Sequence, residues 1–211
     1  MRTLAIDCST EACSVALFDG EALVAGDCRL LGRGHAEHLV PMIAALPDHG
    51  KAQRVAVSLG PGSFTGVRIG LAAARGLALG WSAEVRGYPT LALVAAMARA
   101  MTCGGKGETP VSVAMTGGHG EWFVQDFAAD GAPQGEVSSL APEAAAAAAR
   151  HELVAGTQAE ALVALRGHGA ALPLRPDARR LMLLPQACLT REIAPLYGRG
   201  PDARLPGEAP R

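Results

Sequence analysis

Lysine and aromatic residues are scarce in this sequence. Only Lys51 and Lys106 are lysine among 211 residues, and the three aromatic types together make up 4%. Hydrophobic residues account for 49% and charged residues for 18%, which is enough apolar material to bury a core. With so few rings, that core must be built from alanine, valine and leucine. A chain of this length forms one or two compact domains.

Several features that would place the protein outside the cytoplasm are missing. The five cysteines are odd in number and contain no Cys-x-x-Cys pair, so neither a disulfide framework nor a zinc site is indicated. No apolar run approaches the ~20 residues that a membrane span requires. The chain reaches Asp7 too early for a signal peptide. We therefore expect a cytoplasmic protein with no membrane partner.

The charge is balanced overall but uneven along the chain. A formal net charge of −1 gives the whole protein no electrostatic attraction for a polyanion. Residues 166–211 nevertheless contain eight arginines against four acidic residues. This basic end either contacts RNA or is an ordinary solvated surface, and the second outcome is the more common one.

The two halves of the sequence begin with the same pattern. Strand-like segments at residues 3–6, 12–18 and 22–30 predict a β-meander, and segments at 111–115 and 121–127 open the second half in the same way. Each first hairpin contains a polar or glycine-rich turn, and the two openings lie about 110 residues apart. The repetition predicts a duplicated α/β domain.

A segment rich in glycine and polar residues, 102–109, separates the halves. It predicts a first domain over 1–103 and a smaller second domain over 104–211. Apolar spacing and helix-forming composition predict five helices, which span residues 35–46, 67–79, 90–101, 142–150 and 158–165.

The turn after the first strand is a candidate phosphate loop. Asp7, Ser9 and Thr10 could offer hydroxyls and backbone N–H groups to a phosphate, with Asp7 holding a hydrated Mg²⁺. A hairpin turn whose side chains bond their own backbone is the alternative. The corresponding turn in the second half begins at Thr116 and has no acid at its head, which predicts a degenerate nucleotide site.

Residues 60–70 are the most informative stretch. They read Gly-Pro-Gly-Ser-Phe-Thr-Gly-Val-Arg-Ile-Gly and lack the Lys-Ser/Thr that closes a Walker loop. Thr65 is a suitable N-cap for the helix that follows. Small residues then recur every four positions at Gly66, Gly70, Ala74 and Ala78. Each helical glycine costs roughly 1 kcal/mol relative to alanine, so a close neighbour, most simply another helix, should recover that cost.

Three ordered segments resemble the TsaB (YeaZ-like) family. The first segment, residues 4–16, begins with Leu-Ala-Ile-Asp-Cys-Ser-Thr and ends with Cys-Ser-Val-Ala. The second, residues 35–41, reads His-Ala-Glu-His-Leu-Val-Pro, and the third is the glycine-rich segment with its helix, residues 60–78. The glycine-rich segment is highly specific, and the other two support it in order and spacing. The resemblance covers the first hundred residues. The family's usual Asp-Ala-Arg motif at the start of the second domain is replaced here by Thr-Gly-Gly at 116–118.

The resemblance implies a duplicated actin-like (ASKHA, ribonuclease H-like) ATPase fold of two small domains without chemistry of its own. It implies heterodimerisation with the catalytic paralogue TsaD, which completes threonylcarbamoyl transfer to adenosine 37 of ANN-decoding tRNAs with the ATPase TsaE. ATP and Mg²⁺ or another divalent metal would act in the partners, and tRNA would be met indirectly. The pairing surface would be the two helices over 35–46 and 66–79, with candidate partner-binding residues His35, Leu39, Met42, Ile43, Gly66, Gly70, Ala74, Leu77 and Ala78.

Two other functions stay open. The chain could be an ATP-binding acyl- or phosphoryl-transfer enzyme that uses Asp7, Ser9 and Thr10, or a structural protein that forms a homodimer through the same helices. A metal shared by His35 and His38 is less well supported, because the sequence places no third ligand. A cysteine nucleophile with one of these histidines as base is also less well supported, because cysteines in strands are usually core residues.

Overall fold

The computed structural model describes residues 1–102 and 109–198, and two five-stranded sheets form its framework. The domain boundary expected between residues 103 and 104 lies outside the described residues. Of the predicted linker, 102–109, the structure describes only the first and the last residue.

The first sheet has the strand order β3-β2-β1-β4-β5. Its strands are β1 Arg2–Asp7, β2 Ala12–Asp19, β3 Ala22–Leu30, β4 Arg54–Ser58 and β5 Glu84–Tyr88. The first three form the predicted antiparallel meander, and β4 and β5 run parallel to β1. Both faces of β1 are covered, which explains why it reads as a continuous apolar run.

Helices cover the two faces of this sheet unequally. Leu4 and Ile6 share a core with α1 (His35–Ala44) and α2 (Phe64–Trp81), whereas Ala5 between them belongs to the core formed with α3 (Thr90–Thr102). The alternation follows from the two-residue period of a strand.

The second sheet repeats the topology of the first. Its order is β10-β9-β6-β7-β8. The strands are β6 Val111–Thr116, β7 Trp122–Phe127, β8 Ser138–Leu140, β9 Leu153–Ala155 and β10 Ala170–Leu172, and the helices are α4 Pro142–Ala148 and α5 Ala159–Arg166. In each half an antiparallel meander is followed by two parallel strands. The duplicated actin-like fold is therefore confirmed.

Helix α3 is the part of the core that both sheets share. Residues from Thr90 to Ala98 are all buried, and those from Leu91 to Ala98 lie in one cluster with Ala5 and Ala16 of the first sheet and Val111 and Val113 of the second. The two halves thus share one core around this helix.

The chain returns to the first half after β10. A 3₁₀ helix, Ala178–Leu183, packs on the first sheet, where the Ala178 N–H donates to Ser14 Oγ at 2.9 Å. Further on, the Leu196 N–H donates to the Leu59 carbonyl at 2.7 Å. Across the ranges that the structure describes, no helix has both the length and the apolar character needed to cross a bilayer.

Helix α2 starts earlier than its sequence predicts. It begins at Phe64 rather than at residue 67, and its N-cap is Ser63, whose Oγ accepts from the Gly66 N–H at 3.2 Å. The expectation that Thr65 caps the helix is therefore wrong, because Thr65 already lies within the first turn. Serine and threonine are both good caps, so the sequence does not distinguish between Ser63 and Thr65, which lie two positions apart.

Candidate functional site

A cavity of about 1040 Å³ lies where the two halves meet. Turns from both halves line it. Ser9 and Thr10 belong to the turn after β1, Gly117 and Gly118 to the turn after β6, and Ser63 to the start of α2. The two turns that occupy equivalent positions in the repeat therefore face one cavity.

Asp7 directs its carboxylate into the protein core. Oδ1 accepts from the N–H and the hydroxyl of Ser9 at 2.9 and 2.6 Å, and Oδ2 accepts from the Tyr88 hydroxyl at 3.2 Å. The residue is 1% exposed and is not among those that line the cavity. Burial raises the pKa of the Asp7 carboxyl above its ordinary value despite these hydrogen bonds. The turn is thus the self-bonded hairpin turn that the sequence left as an alternative.

The glycine-rich segment fixes α2 against this turn. The Ser63 N–H donates to the Ser9 carbonyl at 2.7 Å, and a Cβ on Gly62 would overlap that carbonyl oxygen. A Cβ on Gly66 would overlap the carbonyl oxygen of Cys8. The glycines permit the backbones of α2 and β1 to approach closely.

The flank of α2 with small residues four apart faces the chain's own sheet. Gly66 lies over Cys8, and a Cβ on Gly70 would stand 3.5 Å from Val57 Cγ2. Ala74 and Ala78 are 0% and 6% exposed within the core of the first sheet. The expectation that this flank is open to a foreign helix is wrong, because strands rather than a second helix recover the cost of its glycines.

The partner-binding residues expected on α1 also face inward. His35, Leu39, Met42 and Ile43 are all at most 6% exposed. The apolar spacing correctly marks one face of the helix, but that face covers the sheet. Leu77 of α2 is the one partly exposed member of the expected set.

The opposite faces of the same helices are exposed and carry apolar and small residues beside the charged Arg75. We call this surface the outer helix face, and its residues are Val40, Pro41 and Ala44 of α1 with Ala72, Gly76 and Leu79 of α2. Val40 is 57% exposed and Leu79 is 85% exposed. A Cβ on Gly76 would meet nothing within 4 Å, so its own chain does not compensate for this helical glycine. The partner-binding residues predicted from the sequence did not include these positions.

A cluster of aromatic rings and one guanidinium stands at the mouth of the cavity. The Arg68 guanidinium carbon lies 3.4 Å from the centre of the Phe64 ring, and its Nη2 donates to the Tyr197 hydroxyl at 2.9 Å. The C-terminal segment is thereby tied to the first turns of α2. Such a cation–π contact holds the cation and ring together beyond simple packing.

The positions of the histidines and cysteines considered for metal binding and nucleophilic catalysis do not support these roles. His35 Nε2 lies 3.3 Å from the Ala12 carbonyl oxygen, whereas His38 is exposed. Cys8 and Cys13 are core residues, 2% and 0% exposed. Residues 1–102 and 109–198 contain no group of three or more His, Cys, Asp or Glu side chains placed to hold a metal ion.

Some arginines of the basic end have acidic neighbours within the part of the chain that the structure describes. Three of them form ion pairs, which are Arg175–Glu11 at 2.6 Å, Arg179–Asp177 at 2.7 Å and Arg191–Glu84 at 3.4 Å. This pairing favours a solvated surface over an RNA-binding one.

Comparison with known families agrees with this topology and this arrangement of turns. The family model described as TsaD, tRNA N6-adenosine threonylcarbamoyltransferase, matches residues 29–175, which is more than half of the chain. The chain belongs to this family.

Similar sequences and structures confirm the resemblance to TsaB (YeaZ-like) proteins. The tRNA threonylcarbamoyladenosine biosynthesis protein TsaB of Escherichia coli (strain K12) is 44% identical over 100 residues, 45% of this chain and 43% of that protein. The aligned part is therefore less than half of that curated relative.

Two solved structures from Pseudomonas aeruginosa extend the likeness over nearly the whole chain. A crystal structure of an uncharacterized protein with similarity to peptidase YEAZ has 27% identity and a TM-score of 0.75, covering 94% of this chain and 99% of that one. The structure of YeaZ has 25% identity and a TM-score of 0.74, covering 93% and 99%.

Proposed function

We propose that this chain is a non-catalytic subunit of the machinery that transfers threonylcarbamoyl to adenosine 37 of ANN-decoding tRNAs. It acts as a heterodimer with a TsaD-like catalytic paralogue, together with a TsaE-like ATPase, and meets tRNA through the complex. It has no cofactor of its own, and ATP and a divalent metal act in the partner subunits. The names of its TsaB relatives support this pathway.

The observation that carries the non-catalytic role is the position of Asp7. A carboxylate that holds hydrated Mg²⁺ must present free lone pairs to the ligand. Both oxygens of Asp7 instead accept hydrogen bonds from Ser9 and Tyr88 inside the protein. The burial that raises the pKa of Asp7 also disfavours the charged form that would bind a cation.

The outer helix face supports the choice of pairing surface. Leu79 and Val40 offer exposed apolar area, and Ala72 and Gly76 leave room beside them for the backbone of an approaching helix. Exposed apolar patches of this kind mark interaction sites in soluble proteins. The two helices named from the sequence are retained in the proposal, but their outward residues replace the inward ones.

The test uses a bulky residue at Gly76. Gly76→Leu adds a side chain where the folded chain leaves open space, and it should stabilise the helix by up to ~1 kcal/mol. Mixed with the TsaD-like protein, the variant should lose the heterodimer that the unaltered chain forms. Size-exclusion chromatography with light scattering measures the complex.

The matched control is Ala147→Leu, which places the same side chain at an exposed position on α4 of the second half. It should bind like the unaltered chain. Normal binding by Gly76→Leu would reject the outer helix face, and failure of the unaltered chain to bind would reject the heterodimer. Sedimentation of each variant alone shows whether a homodimer uses the same face.

The second candidate is an ATP-binding acyl- or phosphoryl-transfer enzyme that uses Asp7, Ser9 and Thr10. The cavity favours it, because Ser9, Thr10 and the turn at Gly117 line a space large enough for a nucleotide. Titration of ATP–Mg²⁺ into the isolated chain distinguishes the candidates. Micromolar binding that disappears in Asp7→Ala would favour the enzyme over the non-catalytic subunit.

A further inference from the structure

Cys8, the residue after β1, and Cys13 of β2 are two free thiols that face each other. The register of β1 and β2 places Asp7 opposite Ser14, so the next pair along the hairpin is Cys8 with Cys13. Their sulfurs lie 3.6 Å apart, and both side chains are buried under α1 and α2. Neither residue has a part in the proposed function.

The backbone at this position is compatible with a disulfide. Opposite residues of an antiparallel pair have Cα atoms about 4.5–5.5 Å apart, and a disulfide spans about 4.4–6.8 Å between Cα atoms. Bond formation would require the two sulfurs to approach by about 1.5 Å, since a disulfide bond is about 2.05 Å long. Small side-chain rotations and a slight local shift can supply such a movement.

We propose that Cys8 and Cys13 form a redox-active dithiol that hydrogen peroxide oxidises to an intramolecular disulfide. The Cys13 sulfur attacks one peroxide oxygen, an S–O bond forms as the O–O bond breaks, and the leaving hydroxide takes the thiol proton to become water. The Cys8 sulfur then attacks the Cys13 sulfur, and hydroxide leaves with the Cys8 proton as a second water. Two thiols and one peroxide thus give one disulfide and two waters.

The order of attack follows from the hydrogen bond between the sulfurs. The hydrogen bond between the two sulfurs lowers the pKa of Cys13 and raises that of Cys8. Thiolate character determines which cysteine reacts first. Ser9, the residue after Cys8, is among the residues that line the cavity.

The disulfide would restrain the turn after β1, which lines the cavity and contacts the first turn of α2. Residues 9–12, which lie between the two cysteines, include Ser9, Thr10 and Glu11 of the cavity wall. Gly66 lies against the Cys8 carbonyl, so any displacement of Cys8 reaches the first turn of α2. Oxidation therefore changes the cavity-lining turn and the start of α2 together.

The experiment maps cysteine pairing in the full chain. The reduced protein is treated with hydrogen peroxide, its remaining thiols are alkylated, and the unfolded chain is digested with a protease that cleaves after glutamate. Cleavage after Glu11 and Glu21 puts Cys8, Cys13 and Cys28 on three different fragments. Mass spectrometry should show the Cys8 and Cys13 fragments joined, with alkylation at both sites falling to the same extent and restored by dithiothreitol.

Cys28→Ser is the matched control, because it removes the remaining cysteine of the first sheet, and it should leave the link intact. Cys13→Ser should abolish the link. The proposal is overturned if both cysteines stay fully alkylated after peroxide treatment, if the link runs through Cys28, or if oxidation stops at a sulfenic or sulfinic acid. Mapping of the unaltered chain decides the question even where a variant fails to fold.

Discussion

Gly66 rests on the carbonyl oxygen of Cys8 so closely that a Cβ at this position would overlap it. One turn later, a Cβ on Gly70 would have only ordinary contacts, at 3.6 Å from Cys8 Cβ and 3.5 Å from Val57 Cγ2. The first turn of α2 therefore lies closer than its second turn to the backbone that follows β1, and it connects the cavity-lining turn to the helix.

The first prediction contrasts two glycines of α2. Gly66→Ala should lower the free energy of unfolding by about 1–3 kcal/mol, because the methyl group forces the helix away from β1. Gly76→Ala should raise it by up to ~1 kcal/mol, because its Cβ enters open space and the helix propensity improves. Urea unfolding measures both. Equal effects at the two positions would contradict the close approach at Gly66.

The second prediction concerns the buried hydroxyl of Tyr88. It donates to the Ile6 carbonyl at 2.9 Å and lies 3.2 Å from Asp7 Oδ2. Tyr88→Phe removes this donor and leaves buried acceptors unsatisfied, at a cost of about 1–3 kcal/mol. Urea unfolding of the variant and the unaltered chain gives the difference. A change below a few tenths of a kcal/mol would show that the hydroxyl is dispensable.

The third prediction is a pH dependence that arises from Asp7. Burial raises the pKa of this carboxyl above its ordinary 3.8, so the native state binds the proton more tightly than the unfolded chain. The resulting stabilisation is complete below 3.8 and is lost as pH rises through the native pKa. The unfolding free energy of the unaltered chain, relative to Asp7→Asn, should therefore fall as pH rises above about 4.

Asparagine is the suitable comparison because its carbonyl oxygen can accept from Ser9 and its amide can donate to the Tyr88 oxygen. Paired unfolding curves across the pH range measure the difference between the two proteins. A difference that grows with rising pH would mean that the native pKa is lowered, contrary to the buried position of the carboxyl.

The fourth prediction separates binding from stability on the outer helix face. Leu79 is 85% exposed, so Leu79→Ser should change monomer stability by no more than about 0.5 kcal/mol. Affinity for the TsaD-like partner should fall by roughly tenfold or more if this side chain is buried in the complex. Calorimetric titration measures the affinity, and an unchanged value would remove Leu79 from the interface.

The strand pattern was predictable where a strand was long enough to show its period. Strands β1 and β2 have six and eight residues, and β6 and β7 have six each, so their apolar runs and turns predicted the duplication. Strands β8 and β10 have three residues each and were not predicted. Three residues span barely one side-chain alternation and give no periodic signal.

The candidate site was predicted in part. The pairing of the turns at Ser9 and Gly117 followed from the repeat. The inward orientation of Asp7 did not, because its partner Tyr88 lies 81 residues away in the chain. A hydrogen bond across that separation depends on the packing of β5 beside β4, which no local pattern specifies.

The sequence by itself determined the duplicated α/β architecture, the two helices of the first half and the small residues that line them. Only the tertiary structure decided which side of α2 is covered. Small residues recur every four positions at Gly66, Gly70, Ala74 and Ala78 and again at Ala72, Gly76 and Gly80. The spacing is the same on both flanks of α2. Because the first sheet packs against the flank with Gly66 and Gly70, the flank with Ala72 and Gly76 stays exposed.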